Sequence, residues 1–218
     1  MATDQHAVVR VVLEHHGTTF AEELGIDVAK NTPSPLFRLL VASHLLAANI
    51  DARLGLRAAR ALNDAGWTTA EHLAEATDDE RHEVLTEARF LRKRRTAELL
   101  GRTAHECLDR WDGDLRRLRD EADGDTGRIE ELVADFSGIG AVGADIFVRE
   151  VQVAWPEHHP FLGGRATDGA AALGLPRTPE RLAELTDEGP EAFCRLSCAL
   201  VRSDMADDAA ELRAEARG

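Results

Sequence analysis

One segment, residues 136–145 (Phe-Ser-Gly-Ile-Gly-Ala-Val-Gly-Ala-Asp), limits the possible folds most strongly, because its glycines have the spacing Gly-x-Gly-x-x-Gly. In a dinucleotide-binding fold this spacing follows a β-strand and opens a helix. Here the preceding apolar residues Ile129, Leu132, Val133 and Phe136 recur at intervals typical of a helix. The segment therefore predicts a tight turn between two helices, and its context excludes the dinucleotide-binding motif.

Two roles are open for this turn. Gly138 and Gly140 can adopt positive φ angles and have no Cβ, so the backbone there can approach another surface closely. The amides of the turn, with the start of the helix near Ala141, would then face an anion such as a DNA phosphate. Alternatively, the glycines only allow two core helices to pack closely. The turn alone does not decide between these roles.

The rest of the chain is rich in helix-start signals and poor in strand signals, which predicts an all-α fold of ten or more short helices. Two signals are a capping residue followed by proline, at Ser34-Pro35 and at Thr178-Pro179. Two others have capping-box spacing, at Thr68 with Glu71 and at Thr77 with Glu80. His44 falls inside an apolar helical stretch, which indicates a hydrogen-bonded core histidine.

Composition restricts the function. The 218 residues carry a formal net charge of −14, and Lys30 and Lys93 are the two lysines. Such a charge repels phosphates, unless the acidity is an adaptation to high intracellular salt, where screening is short-ranged. Three cysteines are too few for a disulfide framework or a four-cysteine iron–sulfur cluster. We expect no metal and no cofactor. With no membrane-length apolar run and no signal peptide, we expect a cytoplasmic protein.

The hairpin residues 136–140 resemble the Leu-Pro-Gly-Val/Ile-Gly turn of the helix-hairpin-helix (HhH-GPD) DNA glycosylases of the endonuclease III type. Residues 35–50 are similar to that family's early core helix, residues 90–97 to the basic entry of the helix ahead of the hairpin, and residues 155–176 to the segment that follows it. The resemblance implies a two-lobed helical fold without the iron–sulfur cluster. Its parts would be N-terminal helices 1–34 packed on the second lobe, a core lobe 35–135, the hairpin and second lobe 136–203, and a C-terminal helix or tail 204–218.

The resemblance also locates the family's chemical positions. Bifunctional members carry a lysine two residues after the second hairpin glycine, and here that residue is Val142. Monofunctional members keep an aspartate at the position of Gly163, whose neighbours are not acidic. Asp168 and Asp145 are the candidate catalytic replacements, and each could instead be a solvent-facing or capping residue. Whether the chain is an enzyme therefore stays open at this point.

The DNA contacts that the resemblance implies are the hairpin, a cationic cluster at the basic entry to the helix ahead of it, and two isolated positions. These candidate DNA-binding residues are Ser137, Gly138, Ile139, Gly140, Ala141, Gly143, Arg92, Lys93, Arg94, Arg95, Arg165 and Asn49.

Three hypotheses follow. The first is a DNA-binding member of the base-excision-repair family whose catalysis is impaired, with a damaged or distorted duplex and other repair proteins as partners. The second is an active monofunctional glycosylase that uses a displaced acid, Asp168. The third is a helical interaction protein that binds no DNA, which the net charge of −14 favours.

Overall fold

The structure is a computed structural model that describes residues 4–48 and 51–218. Over these residues it contains fourteen α-helices, two short 3-10 helices and no strand, so the prediction of an all-α, two-lobed helical fold is confirmed. The 3-10 helices are Val28–Lys30 and Pro156–His158. The α-helices are α1 (Gln5–His16), α2 (Phe20–Glu23), α3 (Pro33–Leu46), α4 (Ala52–Asp64), α5 (Ala70–Glu75), α6 (Asp78–Glu87), α7 (Lys93–Trp111), α8 (Leu115–Ala122), α9 (Thr126–Ala134), α10 (Gly140–Val151), α11 (Gly164–Leu173), α12 (Pro179–Ala183), α13 (Pro190–Ala206) and α14 (Ala209–Glu215).

The helix starts follow the sequence signals with two corrections. Thr77 caps α6 in a full capping box with Glu80, as predicted, and α12 begins at Pro179 after Thr178. Helix α3 begins at Pro33 rather than Pro35. Thr32 has the extended backbone of a residue that precedes a helix, and Pro33 takes the first helical position after it. Helix α5 is capped by Thr69 rather than Thr68, since the Thr69 hydroxyl accepts the N–H of His72.

Helix α3 lies at the centre of the molecule. It is apolar on nearly all sides, and Leu36, Phe37 and Leu40 are fully buried. A helix of this kind has to be surrounded by other helices. Helices α4, α8 and α10 pack against it, so the hairpin's second helix, α10, rests directly on the core.

The helix contacts fall into two groups. In the first, α5 and α6 pack on α7, and α8 joins α7 to α9. In the second, α13 packs on α11 and α1, and α14 packs on α11 and α1 with Leu212 buried. Helix α10 contacts α9 and α3 and also contacts α13. The second helix of the hairpin therefore joins the two groups. The domain boundaries near residues 35, 136 and 204 stay a prediction.

A buried arginine holds the first group together. Arg81 of α6 is 5% exposed, and its guanidinium donates to the carbonyls of Leu73, Ala76 and Ala97. A Cβ on Gly101 of α7 would lie 2.3 Å from the Arg81 guanidinium. Because Gly101 has no side chain, the Arg81 guanidinium fits beside it and links α5, α6 and α7 through its hydrogen bonds.

Candidate DNA interface and adjoining cleft

The hairpin turn connects α9, which ends at Ala134, to α10, which begins at Gly140. Gly138 has a φ of +87°, and a Cβ there would lie 2.9 Å from Nε2 of His44 and 2.9 Å from Cδ1 of Leu99. Gly140 has a φ of +60°, but a Cβ there would meet nothing within 4 Å. One glycine therefore packs against α3 and α7, and the other faces open space. The geometry thus shows close packing at Gly138 and an open backbone at Gly140, and phosphate binding by the turn stays a prediction.

The first half of the turn is fixed by a carboxylate from α7. The Ser137 N–H donates to one oxygen of Glu106 at 2.8 Å, and the Ser137 hydroxyl donates to the other at 2.6 Å. Thr103 donates to the Ser137 carbonyl at 3.1 Å. In the resembling family proline stands here, and proline has no N–H. The serine adds two donors, and Glu106 accepts both, so these groups already have a partner within the chain.

The second half of the turn is open. Ile139, the residue before α10, is 4% exposed and provides no side-chain cap. Gly140, Ala141 and Val142 are exposed. The first N–H groups of a helix have no partner within it, and they carry partial positive charge. The first turn of α10 therefore presents uncapped N–H groups beside uncharged side chains.

A cleft of about 600 Å³ borders this turn. Its walls come from α10, the end of α3, the start of α4, the start of α11 and the end of α13, together with Phe20. The lining residues are Phe20, Leu46, Ala47, Ala48, Ala52, Ala141, Val142, Asp145, Ile146, Arg149, Gly164, Arg165, Val201 and Met205. Val142, at the family's lysine position, is 63% exposed, so it presents hydrocarbon to the cleft.

Asp145 projects from α10 into the cleft, where its side chain is 23% exposed. One carboxylate oxygen accepts a hydrogen bond from Arg149 at 3.1 Å, and the other accepts the N–H of Gly164 at 2.6 Å. A Cβ on Gly163 would lie 2.3 Å from the Asp145 carboxylate, and Gly163 has a φ of +82°. The Asp145 carboxylate thus caps α11 from across the cleft, and it occupies the space that a side chain at position 163 would need.

The positive partner of Asp145 is buried. Arg149 is 2% exposed, and Glu150, which is 1% exposed, lies next to it in the chain. Burial by itself lowers the pKa of Arg149, but the Cys198 thiol and the carboxylates of Glu150 and Asp145 raise it overall. On the neighbouring helix, burial and the charge of Asp145 raise the pKa of Glu130. The carboxylate in the cleft is therefore supported by a fixed buried cation.

The other predicted site residues lie in different places. Asp168 is exposed on α11 and is not among the residues that line the cleft. Arg165 lines the cleft, and its guanidinium pairs with Asp204 at 2.7 Å. Gly143 is buried inside α10, where a Cβ would lie 2.5 Å from the Ile139 side chain. Asn49 lies outside the described residues.

The predicted cationic cluster, Arg92 to Arg95, forms the start of α7. Arg94 pairs with Asp79 at 3.3 Å and Arg95 with Glu98 at 3.4 Å, both as exposed contacts. Leu99 of the same helix contacts the hairpin. At 1.5 Å per residue, Arg95 and Arg92 lie roughly 6 and 10 Å along the helix from Leu99. The structure thus brings this cluster into the neighbourhood of the hairpin.

Two residues near the turn carried no functional prediction. Glu106 has no local signal, because its partner Ser137 is distant in the chain. His44 is 5% exposed, as expected of a core residue, but its Nδ1 has no hydrogen-bond partner, contrary to the prediction of a hydrogen-bonded histidine. Burial lowers its pKa to about 4.

Metal-binding clusters and membrane-spanning helices are both absent from residues 4–48 and 51–218. No group of three or more His, Cys, Asp or Glu side chains there could hold a metal ion. All three cysteines are buried, and burial raises the pKa of Cys107 to about 12. None of the helices in this part of the chain combines the length and the apolar character that crossing a bilayer requires.

The comparisons with known proteins give one structural similarity. No family model and no curated protein matches the sequence. Among solved structures, the chain is similar to a trapped covalent intermediate of endonuclease III with DNA, in an estranged-adenine complex. The TM-score is 0.50 at 16% sequence identity, over 92% of this chain and 86% of that one. The chain therefore has a helical fold of the endonuclease III type.

Proposed function

We propose that this protein binds duplex DNA and holds a backbone phosphate at the first turn of α10. The observation that carries the proposal is the uncapped, exposed start of this helix at Gly140, Ala141 and Val142. The first N–H groups of the helix have no side-chain cap, no acidic side chain belongs to the turn, and a mostly apolar cleft adjoins it. Helix starts of this kind bind phosphate. The solved structure that shares this fold is itself a DNA complex.

The net charge of −14 repels phosphates at long range, and added salt screens this repulsion. A phosphate held by backbone N–H groups needs few cationic side chains, so the loss of affinity with salt is small. Arg92 and Lys93, at the start of α7, supply positive charge near the hairpin. We infer that binding persists at high salt, which agrees with the hypothesis of a salt-adapted protein.

We infer further that the protein does not cleave DNA through a Schiff base. That reaction needs an amine at the sugar carbon, and Val142 stands at the family's lysine position. Lys93 begins α7, and Lys30 lies in the 3-10 helix Val28–Lys30, where it pairs with Asp27 at 3.6 Å. Neither lysine lines the cleft.

The proposal is tested with a charge placed at the helix start. Ala141 is exposed, and a carboxylate at this position is favourable for the helix dipole while it repels a phosphate. We expect Ala141→Glu to retain the fold and to weaken binding to a duplex with an abasic site at least tenfold. Ala141→Gln, of the same size but neutral, should bind within about twofold of the parent protein.

Two results would contradict the proposal. Equal affinity of Ala141→Glu and Ala141→Gln would place the DNA elsewhere on the protein. Absence of binding by the parent protein at both low and molar salt would favour the helical interaction protein that binds no DNA.

A second candidate function is hydrolytic base excision, and the position of Asp145 favours it. Its carboxylate lies in the cleft beside the hairpin, whereas Asp168 is exposed outside it. A fixed carboxylate stabilises the cationic sugar that forms as a base departs. Asp145 is therefore the better candidate of the two for the role that an aspartate at position 163 has in the family.

Binding measurements test this role without a reaction. Transition-state analogues bind more tightly than substrates, and a pyrrolidine abasic analogue mimics the sugar cation while tetrahydrofuran is its neutral counterpart. We expect the parent protein to prefer the pyrrolidine duplex at least tenfold, and Asp145→Asn to lose this preference but keep its affinity for the tetrahydrofuran duplex. Asp168→Asn is the matched control. Loss of the preference in Asp168→Asn, but not in Asp145→Asn, would reverse the assignment.

A further inference from the structure

Another cavity lies at the far end of α10 from the hairpin turn. It has a volume of about 470 Å³ and opens between residues 19–29, the end of α10 and the start of α13. Glu150, the next-to-last residue of α10, lines it. At 1.5 Å per residue, Glu150 lies roughly 15 Å along the helix from Gly140. This cavity shares no lining residue with the cleft beside the hairpin, so it is a separate feature of the molecule.

The wall of this cavity holds a buried carboxylate that lacks one partner. Glu150 is 1% exposed. Its Oε2 accepts the N–H of Ala21 at 2.7 Å, but its Oε1 has no hydrogen-bond partner among the described residues. Burial raises the pKa of Glu150, although the charge of Arg149 lowers it. A buried carboxylate oxygen without a partner costs free energy, so a donor that enters the cavity beside Oε1 is bound favourably.

The charge around the cavity decides which kind of donor fits. The lining residues include four carboxylates and one arginine, namely Glu22, Asp27, Glu150, Glu191 and Arg195. The arginine is already paired, because its guanidinium donates to the Glu22 carboxylate. Glu191 is exposed in the first turn of α13 and adds negative charge at the opening. The cavity therefore repels anions and attracts cations.

Much of the remaining wall is apolar. The side chains of Ala21, Ile26, Val28 and Cys194 are buried here, and Val153 is half-buried. A metal cation needs several oxygen ligands in contact with it. Within residues 4–48 and 51–218, no group of three or more His, Cys, Asp or Glu side chains could hold such an ion. Apolar walls between negative groups instead suit a hydrocarbon chain with ammonium ends.

We propose that this cavity binds a free aliphatic diamine, with one ammonium on Oε1 of Glu150 and the other beside Glu191 at the opening. The hydrocarbon chain between them lies against Ile26, Val28 and Val153. An ammonium has three donors and no acceptor, so it supplies the hydrogen bond that Oε1 lacks. Such charge-assisted hydrogen bonds are among the strong ones. The volume of about 470 Å³ also falls in the range of roughly 300–1,000 Å³ that is usual for small-molecule sites.

The proposal is tested by isothermal titration calorimetry of the full-length protein with 1,4-diaminobutane. We expect saturable binding of one diamine per chain, and no binding of 1,4-butanediol, the neutral counterpart. 1-Aminobutane lacks the second ammonium and should bind at least about fivefold more weakly. Nα-acetyl-lysine methylamide carries one ammonium on a peptide unit and should bind no better than 1-aminobutane. Magnesium chloride should not displace the diamine when the ionic strength is held constant.

Three variants locate the site. Glu150→Gln keeps an acceptor for the Ala21 N–H and removes the charge, so it should fold and should weaken diamine binding at least about tenfold. Glu191→Gln changes an exposed side chain, leaves the core intact and should weaken binding about threefold. Glu83→Gln is the matched control, because it removes an exposed carboxylate of α6 with the same change in net charge. This control should bind the diamine like the parent protein.

Four results would overturn the proposal. Absence of saturable diamine binding would remove the site. Equal affinities of Glu150→Gln and Glu83→Gln, or displacement of the diamine by magnesium, would show that the diamine responds only to the overall negative charge. Tighter binding of the lysine derivative than of the diamine would replace the free ligand with a protein partner. None of these results bears on the proposed DNA binding, which is measured separately at the other end of α10.

Discussion

The buried imidazole of His44 allows a quantitative prediction of how the free energy of unfolding falls at acidic pH. Its imidazole lies under the hairpin against Gly138, is 5% exposed and has no partner at Nδ1. Burial disfavours the charged form and lowers the pKa of His44 from 6.5 to about 4. Above pH 6.5 both the native and the unfolded chain hold it neutral. Below pH 6.5 the unfolded chain takes up a proton that the native protein excludes until about pH 4.

The stability that neutral His44 contributes is therefore fully present above pH 6.5 and is lost as the pH falls toward 4. One pKa unit corresponds to about 1.4 kcal/mol. A shift from 6.5 to about 4 then removes roughly 3 kcal/mol of the free energy of unfolding by pH 4. This is a large part of the 5–15 kcal/mol that is typical of a folded domain.

The assay is urea unfolding at half-unit steps from pH 8 to pH 4, for the parent protein and for His44→Leu. Leucine is apolar and similar in volume, so it cannot take up the proton. We expect the free energies of the two proteins to diverge below pH 6.5, until the parent has lost roughly 3 kcal/mol more than the variant. His105→Leu removes an exposed histidine and is the matched control. Parallel profiles for the parent and His44→Leu between pH 7 and 4 would refute the argument.

Two further predictions concern stability. Gly163→Ala should cost at least about 2 kcal/mol, because the φ of +82° is strained for alanine and the new Cβ would lie 2.3 Å from the Asp145 carboxylate. Asp145→Ala removes that contact, so a double-mutant cycle by urea unfolding should show a smaller loss than the sum of the single changes, and additivity would contradict the contact. Arg81→Met should cost about 3–5 kcal/mol, because three buried carbonyls lose their donor. The exposed Arg57→Met should stay within about 0.5 kcal/mol, and equal effects of the two changes would contradict the role of Arg81.

Local sequence patterns predicted the parts of the fold that depend on near neighbours. The helical spacing before Phe136 and the glycines after it predicted the hairpin, and Thr77 with Glu80 predicted the start of α6. The wrong helix starts arose where the sequence offers two equivalent signals. Thr-Pro-Ser-Pro contains two pairs of a capping residue and proline, and Thr68-Thr69 contains two possible caps. Periodicity cannot choose between adjacent alternatives.

The chemistry of the site depends instead on contacts between residues that are distant in the chain. Asp145 reaches Gly164 only because the start of α11 lies across the cleft from α10, and Glu106 reaches Ser137 from α7. No spacing rule connects such residues. The sequence could identify Gly163 as the vacant family position, but the structure was needed to find that a carboxylate from α10 occupies the neighbouring space.

The most direct test of phosphate binding at the hairpin is a nuclear magnetic resonance titration of the amide groups with an abasic duplex. We predict that the largest amide shifts fall at Gly140, Ala141 and Val142, with smaller shifts at the start of α7 and little change in α5 and α6. Binding of the duplex with unshifted amides at these three residues would contradict the central claim that the start of α10 holds the DNA.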